Sequence, residues 1–334
     1  MNIIIPMAGW GTRLRPHTLT IPKPMLPIAG KPIVHRLVED LMKSADEKVE
    51  NIVFIIREDF GSAIPEQLLA IAAENGAKGH IRFQEEPLGT AHAILCAGEF
   101  LESKVVVGFA DTLFKMNFKI DSSKDGIIFV QKVADPSAFG VVKLDANGII
   151  TDFIEKPKEF VSDLAIIGIY YFREGGQLRA EMQYLVDNDL KEKGEFQLTN
   201  AMENMKQKGA KFEKGEVADW LDCGNKNATV DTNKTYLDYL KNESLVAKDV
   251  IVENSVIIAP SFIASGVKLT NSVVGPYASI GKNTEIENSI IKNSILQSNS
   301  SIKNKLIDHS MVGNNVKLVG KFEDLSIGDY TTLA

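Results

Sequence analysis

Met7-Ala8-Gly9-Trp10-Gly11-Thr12-Arg13-Leu14-Arg15-Pro16, followed by Pro22-Lys23-Pro24-Met25-Leu26-Pro27, comes directly after the apolar run Ile3-Ile4-Ile5. The run reads as a first strand. A glycine-bearing turn therefore closes that strand, with an Arg and a Lys just beyond it. Glycine lets backbone N–H groups approach a ligand closely and adopt unusual dihedrals. Clustered N–H groups with two cations make a site for phosphate oxygens. The spacing is not that of a Walker loop, which needs Lys-Ser/Thr after its last glycine, and it lacks the Gly-x-Gly-x-x-Gly dinucleotide pattern.

Around this segment the chain alternates strand-like and helix-like patterns up to about residue 240. Strands are expected at 2–6, 51–56, 81–84, 104–110, 126–132 and 164–172, and helices at 31–44, 64–75, 89–101, 175–190 and 225–241. Val105-Val106-Val107-Gly108-Phe109-Ala110 is continuously apolar, as a central strand covered on both faces requires. Alternating strands and helices predict an open α/β sheet. Such sheets bind ligands beyond the carboxyl ends of their strands, where the Gly9 loop and Asp111 fall.

From about residue 246 the helical pattern disappears. Aliphatic residues recur at Ile257, Ile263, Leu269, Val274, Ile280, Ile286, Ile291, Leu296, Ile302, Ile307, Val312 and Leu318, always five or six apart. Small or polar residues such as Ala278 and Thr284 come four after a repeat position. This period resembles the hexapeptide repeat of left-handed parallel β-helices, in which three repeats make one triangular coil, so about four coils are expected. The domain boundary is placed at 243/244, giving an α/β domain over 1–243 and the β-helix over 244–334. Short coils leave apolar flat faces and open edges, which predicts a homo-oligomer.

Composition narrows the function. The 334 residues carry a net charge of −7, with 44% hydrophobic and 24% charged residues. This is ordinary for a globular protein. The acidic balance argues against nucleic acid as a partner. No apolar run reaches the ~18 residues of a membrane span, and the N-terminus lacks a signal-peptide pattern. Cys96 and Cys223 make no disulfide framework, so a cytoplasmic location is expected. Histidines at 17, 35, 80, 92 and 309 show no metal-ligand spacing and predict no zinc site.

Further segments carry chemistry. In Gln84-Glu85-Glu86-Pro87-Leu88-Gly89-Thr90-Ala91-His92-Ala93, Gln84 can offer both a donor and an acceptor to a pyrimidine edge, and Gly89 opens a helix beside the ring. Asp111 follows the apolar strand, and Asp222 lies in Trp220-Leu221-Asp222-Cys223-Gly224. Phe139-Gly140-Val141-Val142, Glu155-Lys156-Pro157 and Ile166-Ile167-Gly168-Ile169-Tyr170 complete the set.

Together these segments resemble the sugar-1-phosphate nucleotidylyltransferases, whose signature is G-G-x-G-T-R-L-x-P…P-K-x-x-L-P. The resemblance spans essentially the whole first domain, which it implies to be a Rossmann-like nucleotidyltransferase domain with a mixed sheet. Ala8 stands at the family's first glycine, so a methyl group must fit beside the nucleotide. Ile5-Pro6-Met7-Ala8-Gly9-Trp10-Gly11-Thr12-Arg13 is similar to bacterial UDP-glucose pyrophosphorylases. Pro22-Lys23-Pro24-Met25-Leu26-Pro27-Ile28 is similar to glucose-1-phosphate thymidylyltransferases. The resemblance implies transfer of a nucleotidyl group from dTTP or UTP to a sugar-1-phosphate, with glucose-1-phosphate the default.

It further implies that Ala8, Gly9, Gly11, Thr12, Gln84 and Gly89 bind nucleotide, and that Gly140, Glu155, Lys156 and Ile166 bind the sugar phosphate. Arg13 and Lys23 would neutralise phosphate charge. Asp111 and Asp222 would hold Mg²⁺, a cation that takes few carboxylates and keeps phosphate oxygens in its shell. Three alternatives stand beside this reading. One is a mannose-1-phosphate guanylyltransferase. Another is a non-catalytic regulatory subunit, which loss of these cations and aspartates would mark. The third is a bifunctional enzyme with an acetyltransferase β-helix, in which His309 has no evident partner.

Overall fold

The computed structural model describes residues 1–321 and 324–332. The chain forms two compact units, residues 1–26 with 31–225, and residues 27–30 with 226 onward. No helix among the described residues is long and apolar enough to cross a membrane.

The first unit contains strands β1 (Asn2–Pro6), β2 (Asn51–Ile56), β3 (Lys78–Phe83), β4 (Val105–Gly108), β5 (Thr112–Lys115), β6 (Gly126–Lys132), β7 (Gly140–Leu144), β8 (Ile150–Glu155), β9 (Leu164–Phe172), β10 (Phe212–Glu216) and β11 (Asp219–Asp222). Nine of them form one sheet in the order β8-β7-β9-β4-β1-β2-β3, with β6 against β9 and β10 beyond it. Pairs β1/β2, β1/β4 and β2/β3 are parallel, whereas β9 runs antiparallel to β4, so the sheet is mixed. Ile3, Ile4, Ile5, Val105 and Val107 are fully buried, as strands covered on both faces must be.

The covering helices are α1 (Ile33–Ser44), α2 (Ala63–Glu74), α3 (Thr90–Leu95), α4 (Gly175–Asp187) and α5 (Leu198–Gln207). Ala91 and Ile94 of α3, Leu178 and Met182 of α4, and Met202 of α5 share one core with Ile4, Val53 and Val107. Several expected bounds move: β3 begins at Lys78, α1 at Ile33, and α4 ends at Asp187. The strand expected at 104–110 ends at Gly108, and Asp111 lies in the turn before β5. The helix expected at 89–101 stops at Leu95 and resumes as a short 3₁₀ turn, Gly98–Leu101. Gly98 has φ +57°, a left-handed conformation that interrupts a right-handed helix.

The second unit opens with α6 (Lys226–Tyr239), a helix within the stretch that sequence assigns to the first domain. Its buried Asn233 explains the grouping with the coil: Oδ1 accepts from Ser279 Oγ at 2.8 Å and from Ala29 N at 2.9 Å. Three parallel ladders follow. One joins Ile251–Glu253, Lys268–Thr270, Glu285–Glu287, Ser301–Lys303 and Lys317–Val319; the others run through Val256–Ile257 to Leu306–Ile307, and Phe262–Ile263 to Met311–Val312. This arrangement is consistent with a left-handed β-helix. All of the repeat aliphatics lie in or against one apolar core.

Corners are made by residues in the left-handed region. Asn254, Asn271, Asn288 and Asn304 all have φ between 45° and 54°. Their carboxamides stack as a hydrogen-bonded ladder, with Nδ2 to Oδ1 distances of 2.7, 3.2 and 3.2 Å. Asn tolerates this backbone better than other residues with a Cβ. His309 is likewise a corner residue, with φ 43°. It does have a partner: its Nε2 lies 3.0 Å from Asp231 Oδ1.

Candidate active site

Glycine sets the shape of the loop after β1. Gly11 has φ +58°, and a Cβ there would stand 2.7 Å from Lys23 Cβ and 3.3 Å from Thr18 Cγ2. The chain thus folds back so that Lys23 packs against the loop, and Thr18 Oγ1 donates to Gly11 O at 2.8 Å. A cavity of about 380 Å³ opens there. Its lining includes Ala8, Gly9, Gly11, Thr12, Arg13, Lys23, Gln84, Gly89 and Asp111, nine of the residues singled out by sequence.

Gly89 marks a close approach. Its φ is +112°, and a Cβ would meet Phe196 O at 2.5 Å and Phe196 N at 2.7 Å. The segment around Phe196 braces this loop: Phe196 N donates to Leu88 O, Ala91 N to Phe196 O, and Leu198 N to Thr90 Oγ1. The adjacent Glu195 lines the cavity, as do Phe109, Pro87, Thr90, Ala93 and Gly224. Sequence reading missed the role of 194–198 because its contacts are made about a hundred residues away. Gln84 departs from expectation. Its Nε2 is committed to Gly89 O at 3.3 Å and His92 Nδ1 at 3.1 Å, so the amide hydrogens are spent inside the protein.

The two aspartates meet through a two-stranded ladder. Antiparallel pairing of β5 with β11 sets Asp222 opposite Thr112, and Cys223 N donates to Asp111 O at 3.0 Å. Asp111 Oδ2 accepts from Lys23 Nζ at 2.9 Å; the Lys23 side chain is 8% exposed and that of Asp111 44%. Burial pushes the Asp222 carboxyl above the usual carboxylate range, and the Asp111 charge adds to this. The Gly224 N–H, 2.8 Å from Asp222 Oδ1, and the charges of Lys23 and Arg13 oppose it. Two carboxylates that repel in a partly dry site suit a divalent cation, which offsets both penalties. Among the described residues no group of three or more His, Cys, Asp or Glu side chains could hold a metal. Two carboxylates are a donor set compatible with a divalent cation that completes its shell with water and phosphate oxygens.

Gly140, Glu155, Lys156 and Ile166 form a second group and do not line that cavity. The β7/β8 register sets Gly140 opposite Glu155. A Cβ at Gly140 would stand 2.9 Å from Glu155 Oε2 and 3.4 Å from Ile166 Cδ1, so the missing side chain keeps this carboxylate in place. Lys156 Nζ lies 3.7 Å from Glu155 Oε1. The buried Tyr170 phenol is held well above its usual range by desolvation, then by the charges of Glu155 and Asp111, so it senses both carboxylates. Phe139 and Trp220 meet edge to face at 5.0 Å beside this group.

The profile of the Nucleotidyl transferase family matches residues 2–239. The chain is 29% identical over 324 residues to a glucose-1-phosphate thymidylyltransferase of Streptomyces antibioticus, covering 89% of this chain and 87% of that protein. It is 30% identical over 320 residues to a bifunctional protein GlmU of Methanocaldococcus jannaschii, covering 90% of this chain and 74% of that one. A solved UDP-glucose pyrophosphorylase, complexed with UDP-glucose, superimposes with a TM-score of 0.59 at 23% identity, over 71% of this chain and 98% of that chain, and so shares its fold.

Proposed function

Because the chain belongs to the Nucleotidyl transferase family, we propose that it joins a pyrimidine nucleoside triphosphate, dTTP or UTP, to a sugar-1-phosphate, most readily glucose-1-phosphate, and releases pyrophosphate. The observation that carries this reading is the convergence on one cavity of the glycine loop, Arg13, Lys23, Gln84, Gly89 and Asp111. The resemblance in sequence to a thymidylyltransferase along nearly the whole chain supports the choice of substrates.

In this reading a phosphate oxygen of the sugar-1-phosphate attacks the nucleotide α-phosphorus. One P–O bond forms as the α–β bridge breaks in line with it. The nucleophile is already ionised at neutral pH, so no general base is required. Catalysis then reduces to positioning and charge neutralisation. The loop from Ala8 to Arg13 receives the triphosphate, and Arg13 neutralises the leaving pyrophosphate. Lys23, fixed by Asp111, carries its charge toward the α-phosphate. Asp111 and Asp222 would hold Mg²⁺, which supplies charge neutralisation and orientation of the triphosphate. Gly140, Glu155, Lys156 and Ile166 hold the sugar phosphate.

The test is pyrophosphate release by the full chain, with dTTP, UTP, CTP, ATP and GTP each offered against glucose-, N-acetylglucosamine- and mannose-1-phosphate. The expected result is highest kcat/KM for a pyrimidine nucleotide with glucose-1-phosphate. Highest kcat/KM for GTP with mannose-1-phosphate would overturn the substrate choice.

A further inference from the structure

Gln84 and His92 form a pair whose geometry selects a base. Gln84 is 7% exposed and lines the cavity. A backbone carbonyl can only accept, so the Gln84 atom beside Gly89 O must be the amide nitrogen. That nitrogen also lies 3.1 Å from His92 Nδ1. An amide N–H cannot accept, so Nδ1 must be bare and the imidazole proton must sit on Nε2. Burial lowers the His92 pKa, which favours the neutral ring this bond needs. Both Gln84 amide hydrogens are then engaged. Among the described residues Gln84 Oε1 makes no hydrogen bond, nor is it sealed from solvent.

We propose that His92 is a positioning residue that locks the Gln84 carboxamide with Oε1 as its one free group, so that the cavity accepts a base with an N3–H and rejects cytosine. The proposal rests on the reading that this cavity binds a pyrimidine nucleotide. Uracil and thymine carry a donor at N3, which Oε1 can accept. Cytosine carries a lone pair there, which would face the Gln84 oxygen. In solution an amide turns over to satisfy either base; here turning would set Oε1 against Gly89 O and would require the imidazole proton to move from Nε2 to Nδ1. Two internal acceptors thus convert an ambivalent side chain into an acceptor alone. A lone buried polar mismatch is the strongest kind of discrimination a small site has.

Two measurements on the full chain decide it. Calorimetry would give Kd for UTP and for CTP with wild type, His92→Phe and Gln84→Ala. Wild type should prefer UTP, and His92→Phe should reduce the CTP-to-UTP Kd ratio roughly tenfold, because the carboxamide is then held by Gly89 O alone and turns more readily. Gln84→Ala should remove most of the preference. Equal weakening of both nucleotides in a folded His92→Phe chain would overturn the role of His92. Absence of binding of either nucleotide to wild type would overturn the nucleotide reading, and this inference with it. Side-chain ¹⁵N spectra of the unmutated protein give an arm independent of folding of the variant. The expected His92 signal is a neutral ring with bare Nδ1, shifted in Gln84→Ala; a protonated Nδ1 would sink the proposal.

Discussion

Lys23 and Asp111 hold each other at 2.9 Å, and both line the cavity together with Arg13. Because the proposed reaction needs charge neutralisation and no proton transfer, these cations should act on the transition state. Lys23→Ala and Arg13→Ala are each expected to lower kcat/KM roughly a hundredfold, with circular dichroism unchanged. Near-normal turnover by a well-folded variant would remove that residue from the mechanism. The aspartates make a separate claim. Asp111→Asn and Asp222→Asn should each raise the Mg²⁺ concentration for half-maximal activity by roughly tenfold or more. Unchanged metal dependence in Asp222→Asn would dissolve the paired-aspartate site. Gln84 illustrates what residue identity alone leaves open: an amide has a donor and an acceptor, and only its neighbours decide which one is offered.

Among the elements, the corners of the coil show how a repeat is stabilised between its apolar positions. Asn288 has φ 47°, donates to Asn304 Oδ1 at 3.2 Å and accepts from Asn271 Nδ2 at 3.2 Å. Replacing it by Ala keeps the left-handed strain and loses the ladder bonds, which should cost about 1–2 kcal/mol. Asn288→Gly relieves the strain and should cost less. Urea titration of the full chain checks the order; an Ala variant as stable as wild type would show that the ladder contributes nothing. The pairing of β5 with β11 is the corresponding device in the first unit, since with the Cys223 N–Asp111 O bond it carries Asp222 to Asp111. Both strands are four residues long and neither is visible as a periodic pattern.

For the whole molecule, the question is where one folding unit stops. Helix α6 is tied to the coil through Asn233 and Ser279, and Asp238 Oδ1 accepts from Tyr277 Oη at 3.1 Å. A chain ending at Glu243 keeps α6 and loses these partners. Its α6 amides should exchange much faster than in the full chain; unchanged protection would show that the coil does not support the helix. Assembly belongs to the same scale. Val256, Ile290 and Leu306 stack along one ladder and are 55%, 46% and 81% exposed. Association of a second copy through the coil is therefore expected, and light scattering should give a smaller particle number for the shortened chain. The same oligomeric state in both would exclude the coil as the assembly module.

The glycine loop, the cations beside it, the apolar central strands and the five-to-six-residue period all depend on local sequence. A left-handed turn needs glycine, a strand buried on both faces needs an unbroken apolar run, and an inward-pointing side chain must recur with every flat face of a prism. These features made the fold class and the glycine-loop side of the cavity legible in the sequence. The remainder depends on pairs far apart in the chain. Strands β7, β8 and β10 are short and weakly patterned, and acquire their structure from the sheet they join. The brace of residues 194–198 on the Gly89 loop, the grouping of α6 with the coil, and the orientation of Gln84 were all decided by tertiary contacts. The physical reason is common to them: a hydrogen-bonding group has several possible partners in sequence, and only the folded chain brings one of them within reach.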